Sequence, residues 1–244
     1  MTTFFTEARQ TLVPHDEVKH GPLPPLLVAM TFVTGLVDAF SYLVLGHVFV
    51  ANMTGNVVFL AFALAGAPGF SILASLVALG SFVLGAFSGG LLGSRLGQHR
   101  GHLLSVAAAL QALLLGIAVV LAALSGNPVP AGVSSGLIVV LGLAMGLQNA
   151  TARKLAVPDL TTTVLTLTIV GMAADSRLAG GSGSRAGRRL ISVVAMLVGA
   201  LVGSMLIFHV AIVSPLVIAL IVVAMIAGIT RLLSRTDSDW VRAS

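Results

Sequence analysis

The sequence predicts an all-α polytopic membrane protein with six transmembrane helices and two short re-entrant half-helices in two inverted repeats. Composition, internal duplication and the placement of charge each point there. Hydrophobic residues make up 57% of the 244 positions and charged residues 9%, at a mean hydropathy of +1.07. A soluble domain carries roughly a quarter charged residues, so this chain cannot clothe a water-facing surface. The duplication is in register: GLVDA at 35–39 recurs as GLQNA at 146–150, NMTGN at 52–56 aligns with DLTTT at 159–163, and LGAFSGGLL at 84–92 with VGALVGSML at 198–206. The offsets are 111, 107 and 114 residues. In so apolar a chain, a repeated half is the sequence mark of a transporter-type architecture, with the site between the halves.

Residues 1–25 are polar and lack the basic start, apolar core and cleavage site of a signal peptide, so they read as a cytoplasmic tail. Apolar stretches follow at 26–47, 50–66, 70–94, 103–124, 133–152, 160–174, 190–209 and 212–233. Spanning the hydrocarbon takes about 20 helical residues. Six stretches satisfy this easily; the second and sixth are short, and each opens on one of the paired polar motifs. The membrane repeats are thus 26–124 and 133–233, with 234–244 a second cytoplasmic tail.

Charge separates two topologies. With eight spanning helices, the alternative architecture, Arg95, Arg100, Arg153 and Lys154 would face outside, against the positive-inside bias. If 50–66 and 160–174 instead enter and return on one side, all 13 Lys and Arg fall on the cytoplasmic side. The outer stretches 47–70, 125–132 and 209–214 then carry no Asp, Glu, Lys or Arg. Re-entrant backbone is tolerated where protein or a water-filled cavity surrounds it. Three spans per half is an odd number, so the second half is expected upside down relative to the first. The expected location is the plasma (inner) membrane, with both termini cytoplasmic.

Asp38 is the sole Asp, Glu, Lys or Arg between Lys19 and Arg95 and lies midway along the first span. A charge there costs about 2.5–3.5 kcal/mol on insertion scales and belongs in the bundle interior. It is a candidate proton-exchanging or substrate-binding carboxyl; its structural alternative is a hydrogen bond to a neighbouring helix. Tyr42, four residues on, shares its helix face. In the second half Gln148 and Asn149 stand at the matching place, and Arg153 follows Asn149 as Tyr42 follows Asp38. Arg153 and Lys154 read as topology determinants near the inner surface.

Asn52, Thr54 and Asn56 form one polar motif and Asp159, Thr161, Thr162 and Thr163 the other. Such residues cap helix starts by accepting from free backbone N–H groups, and Pro158 breaks the preceding helix. Two polar half-helix starts meeting at mid-membrane would line a solute pathway; Thr166 and Thr168 are weaker candidates, since threonine also bonds back to its own helix. Gly85, Gly89 and Gly93 form one small-residue stripe and Gly199 and Gly203 its counterpart, which is a helix-packing device. Gly142 and Gly146 extend the same logic beside Gln148.

The elements D-x-x-S-Y-L (38–43), N-M-T-G-N (52–56), G-x-Q-N-A (146–150) and T-T-T-V-x-T (161–166) together resemble the YoaK-like multipass membrane proteins, a family defined by a domain of unknown function. The resemblance covers approximately residues 25–233 and implies a multipass membrane protein; it brings no substrate.

Cysteine is absent, and no metal-ligand spacing, phosphate loop, nucleophile elbow or dinucleotide fingerprint stands in the chain. No cofactor, no metal and no enzymatic activity are expected. The dispersed bases do not form a nucleic-acid patch. The expected function is secondary transport of a small solute or ion at a midplane site between the repeats, with proton coupling through Asp38 as an option. A channel is one alternative, and a non-transporting membrane scaffold or accessory subunit another. Expected partners are the lipid bilayer and a small solute, ion or proton; homo-oligomerisation is left open.

Overall fold

A computed structural model describes residues 11, 20–158, 160, 162, 165–175, 180, 186–235 and 239–242. Most of the first polar tail, most of the Gly/Ser/Arg-rich connector at 176–189, and Asp159, Thr161 and Thr163 lie outside the described residues.

The described chain is α-helical. α1 (Leu23–Val44) opens with Pro24 in its first turn, where a missing N–H removes no helix bond. α2 (Met53–Leu64) is short. α3 (Ile72–Leu96) is capped by Ser71, whose Oγ accepts from Ala74 N–H at 3.2 Å. α4 (Arg100–Ser125) is capped by His99, whose Nδ1 accepts from His102 N–H at 3.1 Å. α5 (Ala131–Leu155) ends on Ala156 in the left-handed region. α6 (Leu165–Ala174), α7 (Ala186–His209) and α8 (Ser214–Leu233) complete the membrane part. Six of these, α1, α3, α4, α5, α7 and α8, are long and apolar enough to cross a membrane. α2 and α6, the two short segments of the sequence reading, have 12 and 10 residues. They rise about 18 and 15 Å, well short of a hydrocarbon core of about 30 Å. α5 runs three residues past its apolar stretch because hydrogen bonding continues through Arg153 and Lys154, whose charge suits a helix C-terminus.

Helix directions follow from which residues touch. Gly142 of α5 abuts Ser81 of α3, Gly146 abuts Phe82 and Ala86, and Gly89 abuts Leu147 and Ala150. The numbers climb together, so α3 and α5 are parallel. α1 and α7 repeat this: Gly199 meets Phe32, Gly35 meets Met196 and Ala200, and Gly203 meets Leu36 and Ala39. Gly85 faces Leu143, and Gly93 lies along the Lys154 stem. Each stripe thus lies between the first long helix of one half and the third element of the other. α4 and α8 are antiparallel, with Ser105 Oγ donating to the Ala227 carbonyl at 3.1 Å. α1 and α5 also run in opposite directions. At the end where α1 starts and α5 stops, Arg100 Nη2 donates to the Leu155 carbonyl at 2.6 Å and contacts His20 Nδ1 at 3.1 Å.

The outer surface carries large apolar side chains such as Leu84, Phe87, Leu113, Leu124, Leu197 and Leu201. In water this would be a liability, and against lipid it is the expected face. Beyond α8, Trp240, in a 3-10 turn at Asp239–Val241, is buried against Gly21 and Gly101.

Replacing Gly85 or Gly199 by leucine should drive side chains into the Leu143 or Phe32 backbone and cost about 1–3 kcal/mol or more. Gly228, whose added Cβ would meet nothing within 4 Å, should accept alanine without loss. Thermal unfolding of the three variants in detergent checks this contrast.

Candidate functional site

α1 carries Asp38 into the bundle, where it is only 4% exposed. Its Oδ1 accepts from the backbone N–H of Val50 at 3.2 Å and of Ala51 at 3.0 Å, and its Oδ2 accepts from Asn52 Nδ2. From the first turn of α2, Asn56 faces the same linker. Its Oδ1 accepts from Phe49 N–H at 2.9 Å and its Nδ2 donates to the Phe49 carbonyl at 2.5 Å. Three successive peptide N–H groups, Phe49 to Ala51, thus bond to side chains. Val50 and Ala51 are buried, and backbone groups without water need such partners.

This corrects the expectation that the first polar motif caps its half-helix. Asn52 occupies the N-cap position but makes no side-chain cap bond; its amide is committed to Asp38. The carboxyl reaches from the neighbouring helix to hold the linker, so the chain supplies its own acceptor to the donors that precede α2.

Beside this staple is a cavity of about 880 Å³. Asp38, Tyr42, Asn52 and Thr54 line it from the first half, and Asn149, Thr166 and Ser204 from the second. Tyr42 stacks on Phe49 at 5.0 Å between ring centroids, so it both packs and lines. Thr166 joins the lining, while Ser204, which packing logic alone would place on a small-residue helix, was not anticipated. A second cavity, of about 610 Å³, is lined by Asn149, Arg153 and Lys154 of α5 and by Phe82, Ala86 and Gly90 of α3. Phe82 and Asn149 line both.

Other predicted pathway residues lie elsewhere. Gln148 points into helix packing: its Nε2 donates to Thr34 Oγ1 at 2.9 Å and to the Met30 carbonyl at 3.3 Å, and its Oε1 accepts from Gln111 Nε2 at 2.6 Å. It clamps α1, α4 and α5, and adjacent positions on a helix face about 100° apart, which separates it from Asn149. Gln111, its partner, was not singled out from the sequence, though an amide deep in an apolar span is a usable signal. Asn56 serves the linker and does not line the cavity. Thr162 is buried with φ 64° and no hydrogen-bond partner for its hydroxyl among the described residues. Arg100, read as one dispersed base, is a buried donor to the α5 terminus.

Membrane-length helices with an apolar exterior and polar residues turned inward define a polytopic membrane protein. Residues 26–229 match the family described as "Protein of unknown function (DUF1275)", and the chain belongs to that family. It is similar to the UPF0700 transmembrane protein YoaK of Bacillus subtilis (strain 168), with 34% identity over 154 residues. That alignment covers 62% of this chain and 65% of the relative, so it spans just under two thirds of the relative's length. The resemblance seen in the motifs is thereby borne out. No solved structure matches the chain.

Asp38→Asn should lower stability by about 1–3 kcal/mol, because an amide cannot accept at both oxygens and leaves a buried donor unpaired. Thermal unfolding of the purified variant, beside Asn56→Ala, reads the loss; an unchanged transition for Asp38→Asn would deny the staple its role.

Proposed function

We propose that this chain is a secondary transporter for a small solute or ion, with its pathway near the midplane between two halves of inverted orientation. The observation that carries the reading is the 880 Å³ cavity, to which α1, the α1–α2 linker, α2, α5, α6 and α7 each contribute a polar side chain. Polar groups inside lipid are costly and default to function. The opposed directions of α1 and α5, and the matching parallel pairs α3–α5 and α1–α7, support inversion of the repeats. We place the protein in the inner membrane with both termini cytoplasmic, as the distribution of Lys and Arg favours.

Proton coupling follows from the same geometry. As a carboxylate, Asp38 accepts three hydrogen bonds and fixes the linker ahead of α2. Protonated, it would present an O–H to a set of donors, and the linker would be freed to move. Exchange of one proton at Asp38 thus sets the position of α2 and, with it, the cavity wall formed by Asn52 and Thr54. The scaffold reading has one observation in its favour: the bonds of Asp38 and Asn56 are all internal to the chain.

The absence of native cysteine permits a direct test. Thr54→Cys, lining the cavity, should react with a membrane-impermeant thiol reagent on intact cells, whereas the lipid-facing Leu84→Cys should not. Single cysteines at Ala67 and Asn127 should label from outside and one at Gln98 should not. A Thr54→Cys protein that stays unlabelled from both membrane faces means a dry cleft, and the scaffold reading then stands.

A further inference from the structure

The two cavities are counterparts under the repeat. At the offset of 111 residues, Asn149 of the second stands where Asp38 stands in the first, and Ala150 where Ala39 stands. Arg153 and Lys154 likewise replace Tyr42 and Leu43. At the offset of 114, the α3 residues Phe82, Ala86 and Gly90 fall on Met196, Ala200 and Ser204 of α7. Each residue lining the second cavity therefore has its repeat partner lining the first. Because α1 and α5 run in opposite directions, the C-terminal ends that frame these cavities lie toward opposite faces of the bundle. The two share Phe82 and Asn149.

Their charges differ. In the first cavity the ionisable Asp38 is consumed by Val50, Ala51 and Asn52. In the second, Arg153 and Lys154 are exposed, and among the described residues neither has an acidic partner. We infer that the cavities are the two vestibules of one pathway, meeting at Phe82 and Asn149, and that the pathway takes an anion, drawn in by Arg153 and Lys154. This rests on the transport reading and names the substrate class for it. A cleft with low-dielectric walls and charge of one sign concentrates the opposite ion by tenfold or more, and a guanidinium beside an ammonium suits carboxylate or phosphate oxygens. A lipid headgroup phosphate shares that chemistry, so the test separates it from a free anion.

Gly90→Cys and Ser204→Cys each put one thiol in a matched position of the cysteine-free chain. A Cβ at Gly90 meets nothing within 4 Å, and serine to cysteine is nearly isosteric. The probes are impermeant methanethiosulfonates of opposite charge, applied to intact cells and to inverted vesicles. Cys at 204 should react from outside and Cys at 90 from the cytoplasmic side. At 90 the anionic reagent should outpace the cationic one on the order of tenfold relative to a free thiol. That ratio should fall toward one in Arg153→Gln/Lys154→Gln and persist in Arg153→Lys, which keeps the charge. Equal rates or a cationic preference overturn the anion inference and leave transport standing. No reaction at either thiol from either side overturns transport itself. Reconstituted into phosphatidylcholine and phosphatidylglycerol vesicles, the preference should persist in both. Its loss in phosphatidylglycerol alone would assign the basic pair to lipid headgroups and overturn the solute reading.

Discussion

A buried peptide N–H has no water to bond, and the linker between α1 and α2 buries Val50 and Ala51 outside any helix. Everything around the cavity depends on how that demand is met. Asp38 accepts two of the linker N–H groups and the Asn52 amide, and Asn56 takes both polar groups of Phe49. An isolated carboxylate in this place would cost several kcal/mol, and an unsatisfied linker would cost as much again per group. Bringing the two together cancels most of both. The arrangement fixes where α2 starts, and so where Thr54 and the cavity wall lie.

Around this staple the bundle is held by close approach. Helices in lipid gain little from the hydrophobic effect, since the tails are as apolar as leucine, and pack instead through van der Waals contact at small residues. The glycine stripes of α3 and α7 supply it, each against the first long helix of the other half. Interlocking the halves in this way leaves no interface at which one could separate cleanly. It also leaves the two cavities flanking the shared Phe82 and Asn149. Hydrogen bonds between spans are worth about 0.6 kcal/mol on average and 1.7 at most. The Gln111–Gln148–Thr34 chain therefore specifies which helices meet more than it stabilises them.

Asp38, Tyr42, Asn52, Thr54 and Asn149, singled out by position in the repeat, fall on one cavity. Gln148, one residue from Asn149, faces another helix pair, and a one-residue step was enough to exchange pathway for packing. His99, Arg100 and Trp240 looked like loop and tail residues. His99 caps its own helix through His102, three residues on, whereas Arg100 is a buried donor and Trp240 an anchor because partners distant in sequence receive them.

The sequence by itself determined an all-α membrane protein, its six long and two short apolar segments, its duplication and its packing stripes. These are properties of composition, length and period, which act locally along the chain. Tertiary structure alone decided that Asp38 holds a linker, that Asn52 turns away from its own helix, and that the cavities are repeat partners with unlike charge. Those outcomes depend on which polar groups meet once the helices pack and water is excluded, and neither composition nor period along the chain encodes that pairing, even where the partners stand only 12–14 residues apart.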